Sequence, residues 1–269
     1  MADPPHNSSL VVIQRGTVGP PVYCFHAFSG SIVPYWEVAR GLGRDRVVYG
    51  LQGISTPSGA TPRHGVLGLG RRYAAQIAAH PPAGTSVLLG YSLGGVLAVE
   101  TARLLADVLA VPPAVVAVDA DPEYTPVGPA DGWRILTRQV LDLDLPVDDL
   151  SALPRERALA AVRQAAAAER RLPARFSLDR LGAMLDVAHA NEQAAARYRP
   201  QPFPGTVHSI RSGDSYAGRA DPWQRYADRV RRHRIPGDHH SIMSAGGAAQ
   251  LAAYVRGLFA EPTGSEETP

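Results

Sequence analysis

The stretch that most restricts what this chain can fold into is "SVLLGYSLGGVLAVE", residues 86 to 100. An apolar run enters Gly90-Tyr91-Ser92-Leu93-Gly94-Gly95 and leaves in a helical pattern. Three glycines around one serine fit a tight strand–turn–helix in which flanking side chains would strike neighbouring backbone. Gly90 and Gly94 remove those side chains, and Gly95 lets the helix pack close to a sheet. The turn lifts the Ser92 hydroxyl off the carboxyl end of its strand, beside a helix N-terminus. There the backbone N–H of Leu93 points at whatever Ser92 attacks. Gly-x-Ser-x-Gly alone is a weak signal, and the strand before it with the helix after it make it a strong one.

The surrounding pattern agrees with that geometry. "LVVIQ" (10–14), "VYCFH" (22–26), "RVVYGL" (46–51), "SVLLGY" (86–91) and "AVVAVD" (114–119) read as strands. Several are nearly continuous in Val, Leu and Ile, as strands covered on both faces are. Helical periodicity lies between them, near 34–42, 67–79 and 93–109. In the last segment Leu93, Leu97, Leu104, Leu105, Val108 and Leu109 share one face. The alternation predicts an α/β fold, a mostly parallel sheet with helices on both faces. It breaks after residue 120: from about 127 to 198 only helix patterns occur, a helical insertion. Strand-like text returns at 205–212 and 229–237, and "AAQLAAYVRGLF" supplies a last helix. The whole reads as a single domain over 1–269, with disordered tails at about 1–8 and 261–269.

Composition narrows the functional classes. With 45% hydrophobic and 19% charged residues, the chain has the make-up of ordinary globular material. No apolar run approaches the roughly 18 residues of a membrane span, and no secretory signal is visible, so a cytoplasmic protein is expected. Cys24 is the only cysteine, which excludes an internal disulfide and a cysteine-based metal cluster; in "PVYCFH" it reads as a core residue. All 27 basic residues are arginine, against 25 acids, in short clusters such as "RVRRHR" (229–234). That scatter argues against nucleic-acid binding.

A serine is a poor nucleophile unless a base takes its proton and an acid orients the base. In this fold the chain order is Ser, acid, His. Asp119 and Asp121 follow the next strand, and Asp119, directly at its end, is the better placed. Among nine histidines, only "IPGDHHSIM" puts one between a late strand and the final helix, so His239 and His240 both qualify. The pair has no partner ligands at metal spacing. His26 ends an early strand and reads as structural. The loop after that strand, Ala27-Phe28-Ser29-Gly30, can supply a second N–H to an oxyanion hole.

"VYCFHAFSGSIVPYWEVARGLGRDRVVYGLQ", "LLGYSLGGVLAVE", "VVAVDA" and "IPGDHHSIM" together resemble the type I thioesterase domain. Such domains terminate nonribosomal peptide synthetases and polyketide synthases, and their fold is that of α/β-hydrolases. The resemblance spans almost the whole chain apart from the tails. It implies Ser92 as nucleophile, Asp119 as acid, His239 as base, and the N–H groups of Phe28 and Leu93 as oxyanion donors. The helical insertion matches the family's lid. The usual His-Pro-x-Gly-Gly text is here His26-Ala27-Phe28-Ser29-Gly30, without the proline.

The resemblance further implies a peptide or polyketide thioester substrate, delivered on the phosphopantetheine arm of a peptidyl or acyl carrier protein. Release follows by hydrolysis or cyclisation through a Ser92 acyl-enzyme. Neither cofactor nor metal is expected, and neither nucleic acid nor membrane is a partner. Three rival readings remain: a stand-alone type II editing thioesterase, a general serine esterase or lipase, and a catalytically dead binding module.

Overall fold

The computed structural model describes residues 9–53, 65–126, 128, 131–213 and 220–260. The two expected tails and the start of the expected lid at 127 lie outside the described residues. Seven strands form one sheet: β1 (Leu10–Gln14), β2 (Val22–Phe25), β3 (Val48–Leu51), β4 (Val87–Tyr91), β5 (Ala114–Val118), β6 (Phe203–Ser212) and β7 (Ala227–Ile235). Their order is β1-β3-β2-β4-β5-β6-β7. Only the edge pair β1/β3 is antiparallel; every other neighbouring pair is parallel. Helices α1 (Tyr35–Leu42), α2 (Gly65–Ala78) and α3 (Leu93–Leu105) precede β5. Four more lie between β5 and β6: α4 (Asp131–Arg134), α5 (Val147–Ala152), α6 (Arg155–Ala168) and α7 (Leu178–Arg197). The last helix is α8 (Ala245–Ala260).

The continuous apolar strands have a direct explanation. Side chains alternate between faces along a strand, and here both faces are covered. Tyr23 and Phe25 of β2, Leu88 of β4, and Val115 and Ala117 of β5 pack with α2 and α3 on one face. Val22 and Cys24, then Val87, Leu89 and Tyr91, then Val116 and Val118 pack with α1 and α8 on the other. Cys24 is fully buried, and burial pushes its thiol well up.

The helix expected over 93–109 ends earlier, at Leu105, and Val108 is exposed. The backbone turns at Leu105, whose carbonyl accepts from the N–H groups of Val108 and Leu109. Only Leu109 of the last two apolar residues returns to the core. Pro112 and Pro113 then bar any further helix before β5.

The helical insertion carries a third core of its own, including Leu136, Leu141, Leu143, Leu159, Val162, Leu181 and Leu185. Helix α4 runs directly into a π-helical stretch, Ile135–Val140, closed by the Leu141 N–H donating to Leu136 O at 3.1 Å. Helix α7 starts at Ser177, whose side chain accepts from the Arg180 N–H, the N-cap arrangement. Its first half contributes Leu181 and Leu185 to the insertion core, and its second half contributes Ala188 and Ala195 to the sheet core.

Candidate active site

The glycines around Ser92 are required by contact. A Cβ at Gly90 would collide with Gly94 O, and one at Gly94 with Phe25 O. A Cβ at Gly95 would strike Ala120 Cβ, so the helix could not lie as close to β5. Ser92 itself has φ 56° and ψ −128°, a conformation that a side chain disfavours. Its N–H donates to Val118 O at 2.8 Å, which ties the turn to β5. The buried Tyr35 locks the neighbouring strand ends together. Its hydroxyl donates to Phe25 O at 2.5 Å and accepts from the Tyr91 N–H at 2.7 Å.

Asp119 follows β5 with φ 43°, held by its N–H donating to Ile210 O at 2.9 Å. Its Oδ1 accepts from the Ser212 N–H at 2.7 Å, and its Oδ2 stands 3.5 Å from Nδ1 of His239. That second distance suits a charge pair more than a formed hydrogen bond, and catalytic hydrogen bonds tighten when substrate binds. Burial would raise the Asp119 carboxyl. The nearby His239 imidazole and hydrogen bonding from Ser212 outweigh it and hold the group below the usual carboxylate range.

His239 lies on the loop between β7 and α8. Asp238 shapes that loop: its Oδ1 accepts from the N–H groups of His240 (3.0 Å) and Ser241 (2.8 Å) and from Ser241 Oγ (2.8 Å). The Tyr91 hydroxyl donates to the backbone carbonyl of His239 at 2.6 Å.

The two adjacent histidines part company here. His239 faces Asp119, whereas His240 Nε2 lies 3.7 Å from Asp142 Oδ1 in the insertion. Asp142 in turn pairs with Arg171 at 2.6 Å. The two aspartates part likewise: Asp121 Oδ1 pairs with Arg211 Nη1 at 2.9 Å. His26 is fully buried. Its Nδ1–H donates to Ala27 O and its Nε2 accepts from the Tyr73 hydroxyl, both at 2.8 Å. Burial pushes its imidazole down to about 4, against a smaller opposing effect of the Ala27 hydrogen bond.

Ser92, Asp119, His239, Phe28 and Leu93 all line one cavity of about 620 Å³, to which the insertion adds Gln139, Ala195 and Tyr198. Leu93 heads its helix, so its N–H has no intrahelical acceptor. The Phe28 N–H likewise finds no backbone acceptor among the described residues. Asn191 of α7 donates to Phe28 O at 2.9 Å, and the Phe28 ring packs on Tyr124 at 5.3 Å. Sequence reasoning missed Ser212, Tyr91 and Asn191. Tyr91 was inside the quoted motif, but nothing in the text tells which way its hydroxyl points. Ser212 and Asn191 carry no sequence signal.

Among the described residues, no three or more His, Cys, Asp or Glu side chains are grouped to hold a metal ion. No described helix is long and apolar enough to cross a membrane.

Comparison with known proteins bears on the family and the fold. The probable thioesterase BOA10 of Botryotinia fuckeliana (strain B05.10) is 31% identical over 88 residues, 33% of this chain and 32% of that protein. Polyketide synthase PksR of Bacillus subtilis (strain 168) is 32% identical over 96 residues, 36% of this chain and 4% of that protein. The matches thus span a third or less of these relatives. The crystal structure of holo-AB3403, a four-domain nonribosomal peptide synthetase bound to AMP and glycine, superimposes with a TM-score of 0.80 at 23% identity. That likeness covers 95% of this chain and 20% of the other and supports the α/β-hydrolase fold. The model of the thioesterase domain family matches residues 20–257. The chain belongs to the thioesterase domain family.

Proposed function

We propose that this thioesterase releases a peptide or polyketide chain from the phosphopantetheine arm of a carrier protein through an acyl-enzyme on Ser92. Ser92 Oγ attacks the thioester carbon while Nε2 of His239 takes its proton. The N–H groups of Leu93 and Phe28 hold the developing oxyanion. Collapse of the tetrahedral intermediate breaks the carbon–sulfur bond, and His239 returns its proton to the departing thiol. In the second half, water or a nucleophile on the chain itself attacks the ester, with His239 again as base, and Ser92 leaves. Asp119 stays ionised throughout, orients the imidazole and stabilises its charged form. Asp121, committed to Arg211, is left out of this scheme, as is His240.

The observation that carries this reading is the approach of Asp119 Oδ2 to His239 Nδ1 in a cavity that both share with Ser92. Similarity to segments of a polyketide synthase and of one probable thioesterase supports the substrate class. The test is incubation with an acyl chain loaded on a carrier protein, followed by mass analysis of the product. Free acid or a ring, with transient acylation of Ser92, is expected; preference for a simple oxyester over the matching thioester would replace this reading with a general esterase.

A further inference from the structure

Tyr91 precedes the elbow serine directly, yet its side chain leaves on the opposite face of the strand. It packs in the core shared by α1 and α8, behind the cavity wall rather than on it. Two separate contacts join it to one residue. Its hydroxyl donates to the His239 carbonyl at 2.6 Å, and its ring centroid stands 4.7 Å from that of His239 with 31° between the planes. The imidazole thus lies over the face of the phenol. A ring face is electron-rich, and a cation within about 6 Å of it is stabilised.

We propose that Tyr91 is a positioning residue for His239: the hydroxyl tethers the loop that carries the imidazole, and the ring face stabilises the imidazolium formed when Ser92 loses its proton. The inference rests on His239 being the base. Burial, then the charges of Asp119, Asp238 and Asp142, push the Tyr91 hydroxyl well above its ordinary range, so it remains a donor. The other titratable groups around His239 are Asp119 at 3.5 Å and His240, whose ring lies 5.8 Å away at 80°. Asp238 adjoins it in the chain, and Asp142 reaches the same loop through His240. Asp119 and Tyr91 therefore act on the same charge from two sides. The carboxylate does so at one nitrogen, the ring across the plane.

The sign of the effect follows. The ring face favours the protonated, inactive form of the free enzyme, so weakening it moves the acid limb of kcat/KM to lower pH. The experiment uses hexanoyl-N-acetylcysteamine thioester and two replacements of nearly equal shape, Tyr91→Phe and Tyr91→pentafluorophenylalanine. Tyr91→Phe keeps the ring and removes the tether. Its kcat should fall about three- to tenfold with KM and the acid limb unchanged. Fluorination reverses the charge on the ring face, and the acid limb should move down by about half to one pH unit relative to the Phe variant.

A merely structural Tyr91 would change thermal stability and leave the acid limb where it is. An acid limb shared by both variants overturns the ring-face role, and a wild-type kcat in Tyr91→Phe overturns the tether. His239→Ala separates this from the reading beneath it: retained turnover there means the base lies elsewhere, whatever Tyr91 does.

Discussion

The sheet and the helical insertion contribute to the same cavity by different means. Every residue proposed for bond-making stands at the carboxyl end of a strand or in the loop after one: Phe28 after β2, Ser92 after β4, Asp119 after β5, His239 after β7. At Ser92 and Asp119 the backbone is held by a hydrogen bond to the neighbouring strand, in a conformation a side chain disfavours; at Phe28 and His239 a side chain holds the carbonyl. The insertion packs its own apolar core and reaches the sheet through helix α7, through Ile135 and Val140, and through a few polar links. Asn191 holds Phe28 O; Tyr198 donates to the buried Glu100 at 2.7 Å; Asp142 faces His240. The difference teaches that the strand ends set most of the geometry for the chemistry, while the insertion packs a core of its own and bears on that geometry where Asn191 holds Phe28.

The sharpest break in this comparison is at the elbow. Ser92→Ala should reduce kcat on the order of 10⁶-fold if the three residues act as a unit, and Asp119→Asn about 10⁴-fold, both with the fold retained. Asp121→Asn should cost under about tenfold; a larger loss than at Asp119 would show that the wrong strand-end acid was chosen. Steady-state kinetics with a circular-dichroism check of folding decide it.

Next come paired core truncations. Leu88 is buried in the sheet core and Leu159 in the insertion core. Each change to Ala should cost about 2–5 kcal/mol. Leu88→Ala should weaken global unfolding in urea. Leu159→Ala should speed amide exchange in α6 and α7 while the strands stay protected. Uniform loss of protection in both variants would mean that the two cores unfold as one.

A pH effect on stability is expected in the sheet. His26 titrates near 4 in the folded protein against an ordinary value of 6.5. Its contribution is complete above the unfolded value and is lost as pH falls from about 6.5 through 4, about 3 kcal/mol in all. Urea unfolding of the wild type should show this loss, and His26→Gln should remove most of it. Asp119, held low, adds acid sensitivity only below the ordinary carboxylate range.

The smallest effect is expected at the contact between the two regions. Asp142 and His240 are each about one-third to one-half exposed, so Asp142→Asn should change stability by less than about 1 kcal/mol. A larger change in thermal melting would mean that this contact holds the insertion in place.

The sheet was legible because burial on both faces leaves an unmistakable apolar text, and the elbow because three glycines meet real collisions. Asp119 was favoured from its place at the end of β5. The order Ser, acid, His could not choose between His239 and His240, since a loop's aim is decided by Asp238 and Tyr91 in three dimensions. The insertion was legible only as helix. Its π-helical turn at Ile135–Val140, the dual allegiance of α7, and the Asn191 link to Phe28 depend on packing between distant segments, for which local periodicity has no symbol.

The left-handed turns at Ser92 and Asp119 have a practical consequence. Released from β5 and β6, either residue would relax to extended backbone and swing its side chain out of the cavity. On the roles proposed for them, turnover is a gauge of strand pairing: fraying at the centre of the ladder would silence the protein outright.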